Sequence, residues 1–198
     1  MIAPNPRLVL LRHGETAWSR SGQHTSRTDL PLTETGERQA NAVAPALAAL
    51  GLRDPLVISS PRLRALRTAE LAGMRVERQW DDLVEWGYGD YEGLTTEQIH
   101  EVAPHWTVWT HPCPNGESTE SVQGRADTVV HVAAAQLTER DVVLFGHGHF
   151  SRALIARWLD LPVRDGRRFA FSPASYTVLG FERGIRQVVT HNTQVAKP

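Results

Sequence analysis

Two short apolar runs, Leu8-Val9-Leu10-Leu11 and Val142-Val143-Leu144-Phe145, each lead within two residues into a histidine followed by glycine, His13-Gly14 and His147-Gly148. Short unbroken runs of Val, Leu and Phe read as strands buried on both faces, as in parallel sheets. Parallel strands need long crossovers, and helical patterns lie between the runs. Thr33-Glu34-Thr35-Gly36-Glu37 opens a helix with a Thr cap and early acids; its apolar face runs from Ala40 to Leu50, with Pro45 expected to kink it and Gly51 to close it. Leu56-Val57-Ile58-Ser59 is a second strand. After it, Ser60 is expected to cap a helix that has Pro61 at its first position, carries Leu63, Leu66, Ala69 and Leu71, and ends at Gly73. Helices are expected over about 120–137 and 151–159, and a hairpin over 176–181 and 185–189 around Arg183-Gly184. The alternation predicts an α/β fold: a three-layer sandwich with a mostly parallel central sheet flanked by helices. Functional groups are then expected at the carboxyl ends of strands.

The chain of 198 residues is expected to form one domain over 1–198, large enough to bury roughly 70% of its unfolded surface. Residues 17–31 read as a long polar loop on the sheet's edge, and 80–118, rich in Trp, Tyr, Gly and Pro, as a lid-like insertion. With 21 Lys+Arg against 22 Asp+Glu there is no basic excess for nucleic acid or an anionic membrane, so neither is expected as a partner. Anion recognition then depends on local placement of Arg. The single cysteine, Cys113, excludes an intramolecular disulfide and a Cys-rich zinc site. No apolar run nears the roughly 18 residues of a membrane span, and residues 1–6 show no leader pattern; the expectation is a cytoplasmic protein, for which a homodimer is allowed.

One His-Gly pair alone is an ordinary loop feature. Two at neighbouring strand ends, one preceded by Arg12, point to a site. Glycine after each histidine would let backbone approach a ligand and leave an N–H for an anion, while Arg12 offers a planar fork for phosphate oxygens. Leu11-Arg12-His13-Gly14-Glu15-Thr16, Ser59-Ser60-Pro61-Arg62-Leu63-Arg64-Ala65, Leu83-Val84-Glu85-Trp86-Gly87-Tyr88-Gly89 and Gly146-His147-Gly148-His149-Phe150-Ser151-Arg152 follow one another along nearly the whole chain. In order and spacing these resemble the histidine phosphatase superfamily, in its phosphoglycerate-mutase-like branch.

The resemblance implies His13 as nucleophile, Arg12, Arg64 and His147 as phosphate ligands, and Glu85 as proton donor. Neutral His13 would attack phosphorus through one ring nitrogen while a backbone acceptor holds the other. Arg12, Arg64 and a protonated His147 would surround the phosphoryl oxygens, doing the work of a metal, so no metal and no cofactor is expected. Glu85 would protonate the leaving alcohol and then take a proton from water, a role that burial among Trp86 and Tyr88 would favour by disfavouring its charge. Ser19, Gln23, Thr25, Ser26, Tyr88 and Gly148 are implied as substrate-binding residues.

Other conspicuous residues have plainer readings. Arg62 and Arg67 read as solvated, Glu92 as structural, Cys113 as inert, His149 as part of the site's wall, and Trp80, Trp86, Trp106 and Trp109 as packing. His24, His100, His105, His111 and His149 lack carboxylate partners at fixed spacing and are weak metal ligands. A mutase of this branch would place extra cations after the acid-donor segment, yet no Lys or Arg falls between Arg78 and Arg125, Thr95 and Thr96 stand where Lys is expected, and Ser19 replaces Asn. The implied activity is therefore hydrolysis of small sugar or glycerate phosphate esters, with a mutase as the alternative. A phosphoprotein-binding module that no longer turns over is disfavoured because all five catalytic positions are filled.

Overall fold

In the computed structural model, which describes residues 6–195, six strands form one sheet: β1 (Leu8–Arg12), β2 (Leu56–Ser59), β3 (Arg78–Gln79), β4 (Val142–Gly146), β5 (Tyr176–Glu182) and β6 (Ile185–Thr193). Residues 1–5, on which the leader reading partly rested, and 196–198 lie outside the described residues. The order is β3-β2-β4-β1-β5-β6, with the first four strands parallel and β5 and β6 antiparallel at one edge. Helices α1 (Ala17–Ser21), α2 (Glu34–Ala49), α3 (Leu63–Leu71), α4 (Thr96–Val102), α5 (Thr119–Gln136) and α6 (Gly148–Trp158) complete the α/β architecture.

The apolar runs are continuous because both sheet faces are covered. Leu8, Leu10, Val142 and Leu144 point into a core shared with Val122, Ala126 and Val129 of α5 and Ala153, Leu154 and Trp158 of α6. Their neighbours Val9, Leu11, Val143 and Phe145 point the other way, against Val43 and Leu47 of α2 and Ala69 of α3. Successive side chains of a strand face opposite sides, so one four-residue run feeds two cores. Each fully buried Leu or Val side chain contributes roughly 1.5–3 kcal/mol.

Several local expectations change. α2 runs unbroken through Pro45, held by the buried Val43 and Leu47 on either side. Residues 17–31 are not merely a loop on the sheet's edge: Thr16 and Ser19 form a reciprocal capping box that starts α1, and the segment reaches the carboxyl end of the sheet. α3 begins at Leu63 with Arg62, not Ser60, at its cap, and Asp29 accepts the free N–H of Leu63 at 2.9 Å. Leu63 is 49% exposed; the buried face of α3 is Arg64, Ala65, Thr68 and Ala69. α6 starts three residues earlier than its apolar pattern suggests. Residues 80–118 are packed: Trp86, Tyr88, Ile99, Trp106, Val108, Trp109 and Cys113 belong to the same core as α5 and α6.

Gly14 was expected to keep its N–H for an anion; instead that N–H donates to Thr68 Oγ1 at 3.1 Å. The glycine is required by backbone contact. A Cβ at Gly14 would lie 2.4 Å from the Gly36 carbonyl oxygen, and one at Gly36 only 2.1 Å from that of Glu15. The start of α2 thus presses directly on the turn that follows His13. Replacing Gly36 with Ala must push α2 off this turn and should lower unfolding free energy by about 3 kcal/mol in a denaturant titration; a change below about 0.5 kcal/mol would refute the tight contact.

Candidate active site

The parallel pairing of β1 with β4 sets Arg12 opposite Gly146, so the chain leaves both strands with His13 opposite His147. The N–H of His13 donates to the Gly146 carbonyl at 3.0 Å, extending the ladder by one bond. The two imidazole rings stand edge to face with centroids 5.3 Å apart. On the far side β2 pairs with β4, and Ser60 N–H donates to Phe145 O at 2.9 Å. Three strand ends therefore deliver His13, His147 and Ser60 to one place.

His13 is 6% exposed, and its Nδ1 lies 2.7 Å from the Gly14 carbonyl oxygen. A carbonyl only accepts, so Nδ1 carries the ring proton and Nε2 keeps its lone pair. Burial, reinforced by the positive charges of Arg64 and Arg12, holds the ring well below the usual imidazole value of 6.5. His13 is a neutral, oriented imidazole with a lone pair on Nε2.

His147 is fully buried. Burial and the nearby Arg64, His13, Arg12 and Arg62 hold it well below 6.5, so it is neutral. Its Nε2 lies 2.8 Å from Ser60 Oγ, and its Nδ1 has no protein partner. The Ser60 oxygen accepts the Arg62 N–H at 3.4 Å and has a proton of its own to give to an Nε2 that carries none. Nδ1 then carries the ring hydrogen, so even a neutral His147 offers a donor to an oxyanion.

Arg12 Nη1 donates to Phe171 O at 2.6 Å; the fully buried Arg64 donates to the carbonyls of Thr28, Thr25 and Ser26 at 3.0–3.4 Å, with Asp29 at 3.8 Å. In both side chains Nε is buried without a protein partner. Burial lowers both guanidinium groups from their usual value and the Glu85 carboxylate pulls them back up, which places Glu85 within electrostatic reach of both.

Glu85 is 5% exposed, beside Trp86 and Tyr88 as expected, but its environment is not only apolar. Oε1 accepts the N–H groups of Trp86 at 2.9 Å and Phe150 at 2.7 Å, and Oε2 accepts that of His149 at 3.0 Å. His149 and Phe150 form the first turn of α6, so Glu85 caps that helix from outside and sits at its positive end. Oε2, with one donor against two on Oε1, keeps the freer lone pairs for a proton.

A cavity of about 160 Å³ adjoins these groups, although Arg64, His147 and Ser60 are not among the residues that line it. Arg12, His13 and Glu85 line it, with Ser19, Gln23, Thr25, Tyr88 and Gly148 of the expected substrate residues. Ser19 spends its hydroxyl in the α1 capping box, and Gln23 Nε2 donates to Gly93 O at 2.7 Å. Ser26 does not line the cavity; its hydroxyl donates to Glu85 O at 3.1 Å. Glu92 accepts the N–H groups of Ser26 and Thr28, both at 2.9 Å. Six further lining residues were not named as substrate ligands: Thr16, Gly22, His24, His149, Arg152 and Phe171. Their polar spacing carries no local signal, and Ser60 was hidden because Ser-Pro mimics a helix cap. Arg67 lies outside, paired with Glu37 at 3.0 Å and Glu70 at 2.8 Å. Burial pushes the Cys113 thiol up to about 11. Among the described residues no three His, Cys, Asp or Glu gather as a metal site, and no helix is long and apolar enough to cross a membrane.

Residues 8–194 match the family model of the histidine phosphatase superfamily, branch 1. The chain belongs to that family. It is 54% identical over 184 residues to an acid phosphatase of Mycobacterium tuberculosis, covering 93% of this chain and 91% of that protein. It is 36% identical over 196 residues to sedoheptulose 1,7-bisphosphatase of Saccharomyces cerevisiae, covering 83% and 71%. A solved structure from an open reading frame of M. tuberculosis superposes with a TM-score of 0.95 at 52% identity, covering 97% of this chain and all (100%) of that one. This histidine phosphatase is a hydrolase of phosphate esters.

The tautomer of His147 is directly measurable. Because burial holds its folded value well below 6.5, protonation at falling pH favours the unfolded chain, and the folded ring stays neutral as pH drops through 6.5. Nitrogen NMR at pH 6.5 should show Nδ1 protonated and Nε2 bare. In Ser60→Ala the pattern should mix and kcat should fall about tenfold, the worth of one oriented hydrogen bond. A wild-type ring protonated on Nε2, or on both nitrogens, would contradict the assignment.

Proposed function

We propose that this phosphatase hydrolyses small phosphorylated metabolites, of the sugar or glycerate phosphate kind, through a phosphohistidine at His13. The observation that carries the reading is the 2.7 Å contact of His13 Nδ1 with Gly14 O in a ring kept neutral by burial. Nε2 of His13 attacks phosphorus as the ester oxygen departs. Glu85, carrying a proton on Oε2, gives it to that oxygen, so an alcohol leaves and the carboxylate remains. Water then attacks the phosphohistidine and passes its proton to the same oxygen, releasing phosphate and restoring both groups. The guanidinium groups of Arg12 and Arg64, with the Nδ1–H of His147, supply the stabilisation that the spreading negative charge requires. Arg12 Nε, Arg64 Nε and His147 Nδ1, buried without protein partners, are donors suited to three phosphoryl oxygens.

A pocket of about 160 Å³ suits a small ester, and the names of the relatives, an acid phosphatase and a sugar bisphosphatase, support the same substrate class. Hydrolysis is favoured over mutase chemistry because Thr95 and Thr96 supply no second anion site. Thr95 caps α4 and bridges to Gln23, while Thr96 Oγ1 contacts His24 Nε2 at 3.4 Å.

A leaving-group series tests the division of labour. Glu85→Gln should cut kcat/KM for an alkyl phosphate by about a thousandfold, because an alkoxide needs its proton in the transition state. For a nitrophenyl phosphate, whose leaving group needs none, the loss should be below about tenfold. Equal losses for the two would remove Glu85 from proton transfer; no turnover of either ester by the unmodified enzyme would defeat the reading.

A further inference from the structure

Beside the phosphoryl pocket lies a second cavity of about 190 Å³, and His24 and His149 line both. Beyond them its walls are Trp106, Val108 and Trp109, with Thr96 and Thr107 adding hydroxyls. Trp106 and Val108 are almost fully buried, so this is a built surface of the 80–118 segment. His149 is fixed by Tyr88, whose hydroxyl lies 2.6 Å from its Nδ1, and stands edge to face with Trp109 at 5.3 Å between centroids. His24 is held in the same manner against Trp106 at 5.3 Å.

Charge separates the two cavities. Arg12, Glu85 and Arg152 line the first, whereas among the described residues no Lys, Arg, Asp or Glu lines the second. Arg152 stacks over Trp109, its Cζ 4.7 Å from the ring centroid, yet lines only the phosphoryl side. Burial keeps the shared imidazoles uncharged: His24 is lowered to about 4 and His149 lies well below 6.5. A carboxylate or second phosphate entering here would shed water and meet no counter-charge. An uncharged ring would meet indole and imidazole faces, with Thr hydroxyls for any polar substituents.

We propose that this second cavity is a leaving-group subsite for an uncharged ring on the ester whose phosphoryl group lies at His13. The inference rests on the phosphatase reading above and narrows it. Ring-bearing esters are preferred substrates, and compact charged ones such as glycerate phosphates are poor ones. The ring is an aryl group or a pyranose, which share an apolar face.

Benzyl phosphate, glucose 6-phosphate and ethyl phosphate all release a primary alkoxide, so they make similar demands on Glu85 and differ in the ring. At least one ring-bearing ester should exceed ethyl phosphate in kcat/KM by about tenfold or more. A benzyl preference identifies an aryl ring and a glucose preference a sugar. Thr107→Trp, at an exposed position, should fill the cavity and bring that ratio towards one. Independently of turnover, benzyl alcohol or methyl glucoside added to the unmodified enzyme should shift the indole N–H signals of Trp106 and Trp109. If ethyl phosphate is hydrolysed as well as both ring-bearing esters, or if neither alcohol moves those signals, the subsite is overturned while the phosphatase stands. If none of the three esters is hydrolysed, the phosphatase reading itself fails.

Discussion

The parallel register of β1 with β4 is the constraint on which the site depends. It sets Arg12 against Gly146, and both strands then end on a histidine at the same height. A register slipped by one residue would turn every side chain of β1 to the opposite face, exchanging the Leu8 and Leu10 core for the Val9 and Leu11 core. Both faces are buried, so the two cores hold the register, and the register holds two imidazoles 5.3 Å apart. Packing spread over the sheet thereby fixes where the two imidazoles stand.

A second dependence runs through Glu85. It caps α6 by accepting the N–H groups of His149 and Phe150, while Ser26 holds its own carbonyl. The start of α6, Glu85 and the loop at Ser26 are therefore one mechanical unit. Glu92, directly after the Gly-Asp-Tyr turn, ties Ser26 and Thr28 to this segment, and Arg64 grips the same stretch through three carbonyls. In the proposed mechanism an acid held this firmly is pre-organised for proton transfer, which lowers the cost of reaching the transition state.

Much of this was legible in the sequence because it is local. Short apolar runs betray buried strands, and the motif around each run marks Arg12, His13, Arg64, Glu85 and His147. The reading that a backbone acceptor would hold one nitrogen of His13 matches its contact with Gly14. What was illegible depends on residues distant along the chain. Ser60 looked like a helix cap because Ser-Pro has that pattern, whereas its hydroxyl is used on His147. The start of α6 was placed too late because its cap is the remote Glu85, not a side chain at its own N-terminus. Around His147 it is again a distant residue, Ser60, that contacts Nε2, and burial among guanidinium groups disfavours the charge of the ring. Ser26 reads as a ligand from its polarity, yet its hydroxyl faces Glu85.

The account's central claim is that Nε2 of His13 bonds to phosphorus during turnover. Rapid quenching of a single turnover into base, followed by peptide mapping and phosphorus NMR, tests it most directly. The prediction is one phosphate per chain on Nε2 of His13, stable in alkali and lost in acid. A single turnover that releases alcohol with no adduct on the protein, or with phosphate on any side chain other than His13, would contradict it.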